Sequence, residues 1–182
     1  ELLHTLSPNQ QVWLSGYLMA NQQSNTSTDS VDQHNLDDNT EAMLHEKEPS
    51  VEPEARSITI LYGSESGNAQ GLAEIFEQRL SDIGNDVTLK SMDDFKPKNL
   101  KKVEDLFIIT STHGEGDPPD NAVELHEYIH GRKAPKLDGV RFSVLALGDQ
   151  TYEFFCQTGK DFDNRLAELG AERLYHRTDC DV

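Results

Sequence analysis

From Ser57 onward, short apolar runs alternate with longer stretches of helical periodicity, and this alternation constrains the fold more than any other feature of the chain. Ser57–Tyr62, Asp86–Ser91, Leu106–Ser111, Phe142–Leu147 and Arg173–Arg177 read as strands. Leu106–Ser111 and Phe142–Leu147 are apolar at consecutive positions, as expected of strands covered on both faces. Between them, Asn68–Ile83 carries Leu72, Ala73, Phe76, Leu80 and Ile83 on one helical face, with Gly84 as its stop. Asn121–His130 and Lys160–Leu169 also read as helices; Phe162, Leu166 and Leu169 of the second point inward and Gly170 follows it. Asp93–Lys102 shows no clear period. The pattern predicts an α/β domain over residues 57–182, a doubly wound five-stranded parallel sheet of order 2-1-3-4-5 with helices on both faces. No helical stretch follows the fifth strand, so the domain is expected to lack its last helix and the chain to be a fragment.

Residues 1–20 hold a further helix. Ser7-Pro8-Asn9-Gln10 reads as its start, with Ser at the N-cap, Pro at N1 and Gln at N3. Val12, Trp13, Leu14, Tyr17 and Leu18 then form an apolar stripe, too short to be stable alone in water, so the helix is expected to act as a separate docking element. Residues 21–56 are polar and acidic and cannot bury enough surface to offset their chain entropy, which predicts a disordered linker. The net charge is −17, and residues 58–182 alone hold 23 acids against 14 bases. Such a surface disfavours nucleic acid and anionic membranes and suits a basic protein partner. The only cysteines, Cys156 and Cys180, form no metal-ligand or disulfide pattern, so no metal site is expected. No apolar run approaches the length of a membrane span and no secretory signal is visible, which predicts a cytoplasmic protein.

Three strands end in loops of unusual chemistry: G-S-E-S-G-N after the first, S-T-H-G-E-G-D-P-P after the third and L-G-D-Q-T-Y-E-F-F-C after the fourth. In the expected strand order these three strands are neighbours, and their carboxyl ends meet where such sheets bind ligands. In the first loop, Gly63 and Gly67 let backbone N–H groups turn inward, Ser64, Ser66 and Asn68 add side-chain donors, and the following helix points its positive end at the site. There is no Lys or Arg, and the spacing fits neither a P-loop nor a dinucleotide fingerprint. A cation-free cradle suits a resident phosphate monoester. In the other two loops, Tyr152 and His113 offer flat rings, and Gly114 and Gly116 allow close backbone approach. Phe154 and Phe155 could stack or pack in the core. A planar ring with a phosphate tail describes flavin mononucleotide.

S-E-S-G-N-A, S-T-H-G-E-G-D-P-P-D-N-A and L-G-D-Q-T-Y-E-F-F-C together resemble the flavodoxin-like FMN domain of diflavin reductases over Ser57–Val182. Tyr152–Asp163 and Leu6–Tyr17, with their Y-E-F-F-C-Q-T-G-K-D-F-D and W-L-S-G-Y, are similar to the flavoproteins of NADPH-dependent sulfite reductases in particular. The resemblance implies that Ser64, Glu65, Ser66, Gly67, Asn68 and Ala69 bind the phosphate. It implies that Ser111, Thr112, His113 and Gly114 flank the isoalloxazine, together with Leu147, Gly148, Asp149, Gln150, Thr151, Tyr152, Glu153, Phe154, Phe155 and Cys156. Tyr152 falls on the family's stacking tyrosine, whereas His113 stands where many relatives carry Tyr.

The resemblance further implies electron flow from NADPH through FAD on a C-terminal module to FMN, and on to a sirohaem iron–sulfur subunit, in a full-length oligomer. The alternatives are the FMN domain of another diflavin reductase or a stand-alone flavodoxin-type carrier. A phosphoacceptor signalling domain would need acidic residues ending the first strand, where Tyr62-Gly63-Ser64 stands. No general acid, base or nucleophile is expected. His4, His34, His45, His126, His130 and His176 read as surface or helix residues, and Cys156 as packing.

Overall fold

The computed structural model describes residues 6–23 and 57–181. In chain order it holds α1 (Pro8–Gln23), β1 (Ser57–Gly63), α2 (Asn68–Asp82), β2 (Asp86–Ser91), β3 (Asp105–Ser111), α3 (Val123–His130), β4 (Arg141–Gly148), α4 (Gln157–Glu168), β5 (Glu172–Arg173) and β6 (Thr178–Asp181). Short 3-10 turns at Pro97–Lys102 and Asp120–Ala122 precede β3 and α3. All strand pairs are parallel, in the order β2-β1-β3-β4-β5, with β6 also on β4. This is the doubly wound sheet that the alternation of patterns predicts.

The central strands are buried on both sides, and alternate residues separate two cores. Ile58 and Ile60 of β1, Phe107 and Ile109 of β3, and Leu145 and Leu147 of β4 meet Ala69, Ala73, Phe76 and Leu80 of α2. Leu61, Leu106, Ile108, Phe142 and Val144 face the other way, onto Leu125 and Ile129 of α3 and Phe162 and Leu166 of α4. At the amino end of the central strands, Arg141 donates to both carboxylate oxygens of the buried Asp105, at 2.7 and 2.6 Å. His126 lies in α3, and its ring packs edge-on against Phe162, at 5.5 Å.

The fifth strand differs from the expected Arg173–Arg177. It pairs with β4 at Glu172–Arg173, leaves the ladder, and returns at Thr178–Asp181. Between Arg141 and Leu145 the edge strand inserts two residues more than β4, since Glu172 pairs with Arg141 and Thr178 with Leu145. The excursion is an edge-strand bulge. It brings Tyr175 against α1, where a Cβ on Gly16 would lie 2.3 Å from the Tyr175 ring.

The start of α1 follows the sequence closely: Ser7 N–H donates to Gln10 Oε1 at 2.8 Å, and Gln10 N–H reaches Ser7 Oγ at 3.4 Å. The expected separate docking element is instead packed into the domain's own core. Leu6, Trp13 and Leu14 are buried in the α2 face of the sheet. The Trp13 ring meets Phe76 and Phe107 edge-on, with centroids 5.1 and 5.2 Å away. The helix also runs along β6, so it covers the sheet beside α2. Val12 is 56% exposed and lies off the buried face, and the Tyr17 side chain lies outside the described residues, as does the linker beyond Gln23.

Replacing Trp13 with Ala should therefore lower the unfolding free energy of the whole domain by about 3–5 kcal/mol in urea titration. Trp13→Phe should cost far less, because the indole Nε1–H is buried with no acceptor among the described residues and its loss removes a desolvation penalty. Unchanged stability in Trp13→Ala would mean that α1 folds apart from the sheet.

Candidate functional site

The carboxyl ends of β1, β3 and β4 lie side by side, because β3 pairs with both of the others. Each strand therefore delivers its loop to one edge of the sheet.

The first loop is braced by its own serine. Ser64 Oγ accepts from Gly67 N–H at 3.0 Å and from Ala69 N–H at 3.2 Å. With its lone pairs so used, the hydroxyl proton is free to donate outward. Gly67 precedes α2 with φ at 89°, a left-handed conformation that a side chain resists, and a Cβ there would meet nothing within 4 Å. Glu65, Ser66, Gly67 and Asn68 are exposed, while Ala69 is buried. Ala69 thus helps shape the cradle and its side chain stays in the core. Within the described residues, the N–H groups of Glu65, Ser66 and Asn68 take no protein acceptor. Outward N–H groups, hydroxyls and a helix N-terminus are the donor set that a phosphate monoester needs.

Asn121 was not singled out from the sequence, yet it ties this loop to its neighbours. Its Oδ1 accepts from Ser64 N–H at 3.0 Å and its Nδ2 donates to Ser91 Oγ at 2.9 Å. One side chain from the turn before α3 thereby joins the first loop to the end of β2. Ser111 plays a related part, with its hydroxyl 3.4 Å from the Gly63 carbonyl.

The second loop closes on itself. His113 N–H donates to the Asp117 carbonyl, and Asp117 N–H returns to the His113 carbonyl, both at 2.8 Å. The tight turn between them requires positive φ at Gly114 and Gly116. Gly116 also lies against the third loop, where a Cβ would approach Phe154 Cβ to 3.0 Å. Thr158, another residue not anticipated, holds the second loop from below. It is buried in the first turn of α4, donates from Oγ1 to the Asp117 carbonyl at 2.9 Å, and offers its N–H to Thr112 Oγ1 at 3.2 Å.

Between the second and third loops lies a cleft of about 380 Å³, lined by Thr112, His113, Gly114, Gly148, Asp149, Tyr152, Phe154, Phe155 and Cys156. Every one of these belongs to the residue set expected from the sequence. Gly148 and Cys156 are buried and form the floor, while Leu147 is buried in the α2-side core and does not line the cleft. Tyr152 is 62% exposed and His113 is exposed as well, so both rings are available to a ligand. Phe154 is 38% exposed and Phe155 half-buried, which gives Phe155 the larger share in packing. Gln150, Thr151 and Glu153 are exposed along the loop crest. A larger groove of about 710 Å³ between α1 and α2 shares no residue with the three loops.

The electrostatics are acidic. Asp149 lines the cleft, and Glu115, Asp117, Asp120 and Glu153, on or just after the second and third loops, are exposed as well. Hydrogen bonds from the Thr151 hydroxyl and N–H hold the Asp149 carboxyl below its ordinary pKa. The Cys156 thiol is pushed up to about 12, by burial first and then by the Asp179 charge. It is inert packing at neutral pH. Cys156 is also the one described non-glycine residue with positive φ, at 56°, where the chain turns into α4.

Residues 60–182 match the flavodoxin family model. The flavoprotein alpha-component of sulfite reductase [NADPH] from Bacillus subtilis (strain 168) is 53% identical over the whole chain. The protein of the same name from Vibrio parahaemolyticus is 45% identical over 97% of it. The chain spans 28% of the length of the first of these and 27% of the second. Among solved structures, a Streptococcus pneumoniae flavodoxin superposes with a TM-score of 0.63 at 26% identity, covering 69% of this chain and 85% of the other. Flavodoxin 2 of Bacillus cereus gives 0.58 at 28% identity, covering 68% and 85%.

With its pKa so high, Cys156 should resist maleimide at pH 8 in the folded protein and label only on unfolding. Labelling at the rate of a free thiol under native conditions would mean that the third loop opens.

Proposed function

The chain belongs to the flavodoxin family, and on that premise we propose that it is an FMN-binding electron-transfer domain, part of the flavoprotein component of an NADPH-dependent sulfite reductase. The observation that carries this reading is the convergence of three loops on one edge, one a cation-free phosphate cradle and two the walls of a cleft with exposed His113 and Tyr152 rings. The 53% identity along the whole chain supports the choice among flavodoxin-family roles.

In the proposed arrangement, Ser64, Ser66 and Asn68 and the N–H groups at the start of α2 hold the phosphate with neutral donors and the helix dipole. Ser111–Gly114 and Leu147–Cys156 flank the ring, with Tyr152 stacking on it. His113 offers a smaller face on the other side. When bound, the flavin takes up and releases electrons one at a time. The protein contributes binding, orientation and a field. The exposed carboxylates disfavour a negatively charged ring and so lower its potential. They also attract a basic partner surface. The partners proposed are an FAD- and NADPH-binding module of the same full-length protein and a sirohaem iron–sulfur subunit; the full-length protein is proposed to be an oligomer in the cytoplasm. Among the described residues no helix is long and apolar enough to cross a membrane.

The direct test is extraction and chromatography of the flavin from purified protein: FMN in near-equal amount to the chain is expected. FAD as the main species, or no uptake of added FMN, would overturn the reading. In fluorescence titration, Gly67→Asp should abolish FMN binding, since its carboxylate would meet the phosphate at the helix N-terminus. Tyr152→Ala should weaken binding by a smaller factor, as loss of one stacking face costs roughly 1 kcal/mol beyond area.

The acidic rim predicts a salt-dependent rate. Neutralising Glu115, Asp117 and Glu153 together should slow electron transfer to the acceptor at low ionic strength and converge with the parent at high salt, with flavin content unchanged. Equal rates across the salt series would show that the rim does not steer docking.

A further inference from the structure

The third loop leaves the sheet at Gly148 and rejoins regular structure only at Gln157. Its internal bonds are local. Asp149 Oδ1 accepts from Thr151 N–H at 2.8 Å and from Thr151 Oγ1 at 2.6 Å, and the Asp149 carbonyl accepts from Tyr152 N–H at 3.1 Å. Such a turn keeps its shape, but its bonds do not fix where it stands. At its far end the loop also contains Cys156 in a left-handed conformation, which has to be held from outside.

The hold comes from two sides. Lys160 of α4 donates its ammonium to the Phe155 carbonyl at 2.6 Å. The other anchor is β6. Asp181 Oδ1 accepts from Gln150 N–H at 3.0 Å, and the Cys180 carbonyl lies 3.8 Å from Cys156 Sγ. The strand β6 is itself fastened. Arg177 donates to Asp179 at 2.7 Å and lies 3.4 Å from Asp163 Oδ2 in α4, and Asp163, only 5% exposed, also receives Arg173 at 2.9 Å. The path from α4 through Arg177 and β6 to Asp181 thus ends on the turn that carries Tyr152.

We infer that Asp181 is a positioning residue for the bound flavin: by accepting the Gln150 amide, its carboxylate sets the Asp149–Tyr152 turn relative to the cleft floor. The inference rests on the cleft being the FMN site. Asp181 acts through the backbone and is not itself a ligand. Without its acceptor, the turn would be fixed in place only on binding, and the cost of placing it would be subtracted from the affinity.

Removing Asp181 also removes a negative charge, so two variants are needed. Asp181→Asn loses the charge and keeps a carbonyl acceptor; Asp181→Ala loses both. In flavin-free protein, the Gln150 amide should exchange with solvent about ten-fold faster in Asp181→Ala than in the parent, with Asp181→Asn close to the parent. In FMN titration, Asp181→Ala should bind about ten-fold more weakly, and Asp181→Asn should restore most of the loss. Parent-like exchange and affinity in Asp181→Ala would overturn the inference. So would equal changes in both variants, which would assign the effect to charge. If the parent protein itself took up no FMN, the cofactor reading would fail, while the exchange comparison would still decide whether Asp181 holds the loop.

Discussion

The pairing of β3 with β1 on one side and β4 on the other is the constraint on which the site depends. Tyr62 and Gly63 lie opposite Ile109 and Thr110, and Thr110 and Ser111 lie opposite Ala146 and Leu147. Parallel register forces the three loops to leave at the same level. A shift of one residue would exchange the two faces of β3 and send each of its side chains into the other core. The two-sided burial of these strands therefore fixes the floor of the cleft. The loops need only local bonds and a few cross-ties to complete it: Ser64 Oγ within the first, the His113–Asp117 bridge within the second, and Asn121, Thr158 and Asp181 between elements.

Charge is divided in a way that suits the proposed role. The cradle offers neutral donors and a helix dipole, so an anion can be held without a cation that would raise the ring's potential. The carboxylates sit outside, exposed at the rim, where desolvation is small and their effect is long-ranged and salt-sensitive. By contrast, the buried charges pair closely, as in Asp105 with Arg141 and Asp163 with Arg173, and they serve the frame.

Much of this was legible in the sequence. The apolar runs of β1, β3 and β4 identify strands because a doubly covered strand has no polar face to confuse the period. The loops were readable because turns with positive φ demand glycine at set positions, as at Gly67 and Gly116. The capping box at Ser7 is likewise a local device. What the sequence did not reveal is non-local. Asn121 bonds to Ser64 across 57 positions, and Thr158 reaches Asp117 across 41. No local signal marks either one beyond an amide or hydroxyl near a loop. The break in the fifth strand is an excursion of two extra residues that sets Tyr175 against α1, a contact between distant parts of the chain. The place of α1 depends on an apolar site on the sheet that periodicity cannot locate. Its stripe announced a partner, and the partner is the face built from Phe76 and Phe107.

In the proposed site, the first loop and the start of α2 bind a phosphate attached to the ring held in the cleft. Titrating the flavin-free protein with FMN and with riboflavin isolates that claim, because the two differ only in the phosphate. Charge-assisted hydrogen bonds are worth about 1.5–3 kcal/mol each, so FMN should bind about 100-fold more tightly or better. Equal affinity for the two flavins would mean that the cradle braced by Ser64 holds no phosphate and that the three loops do not form an FMN site.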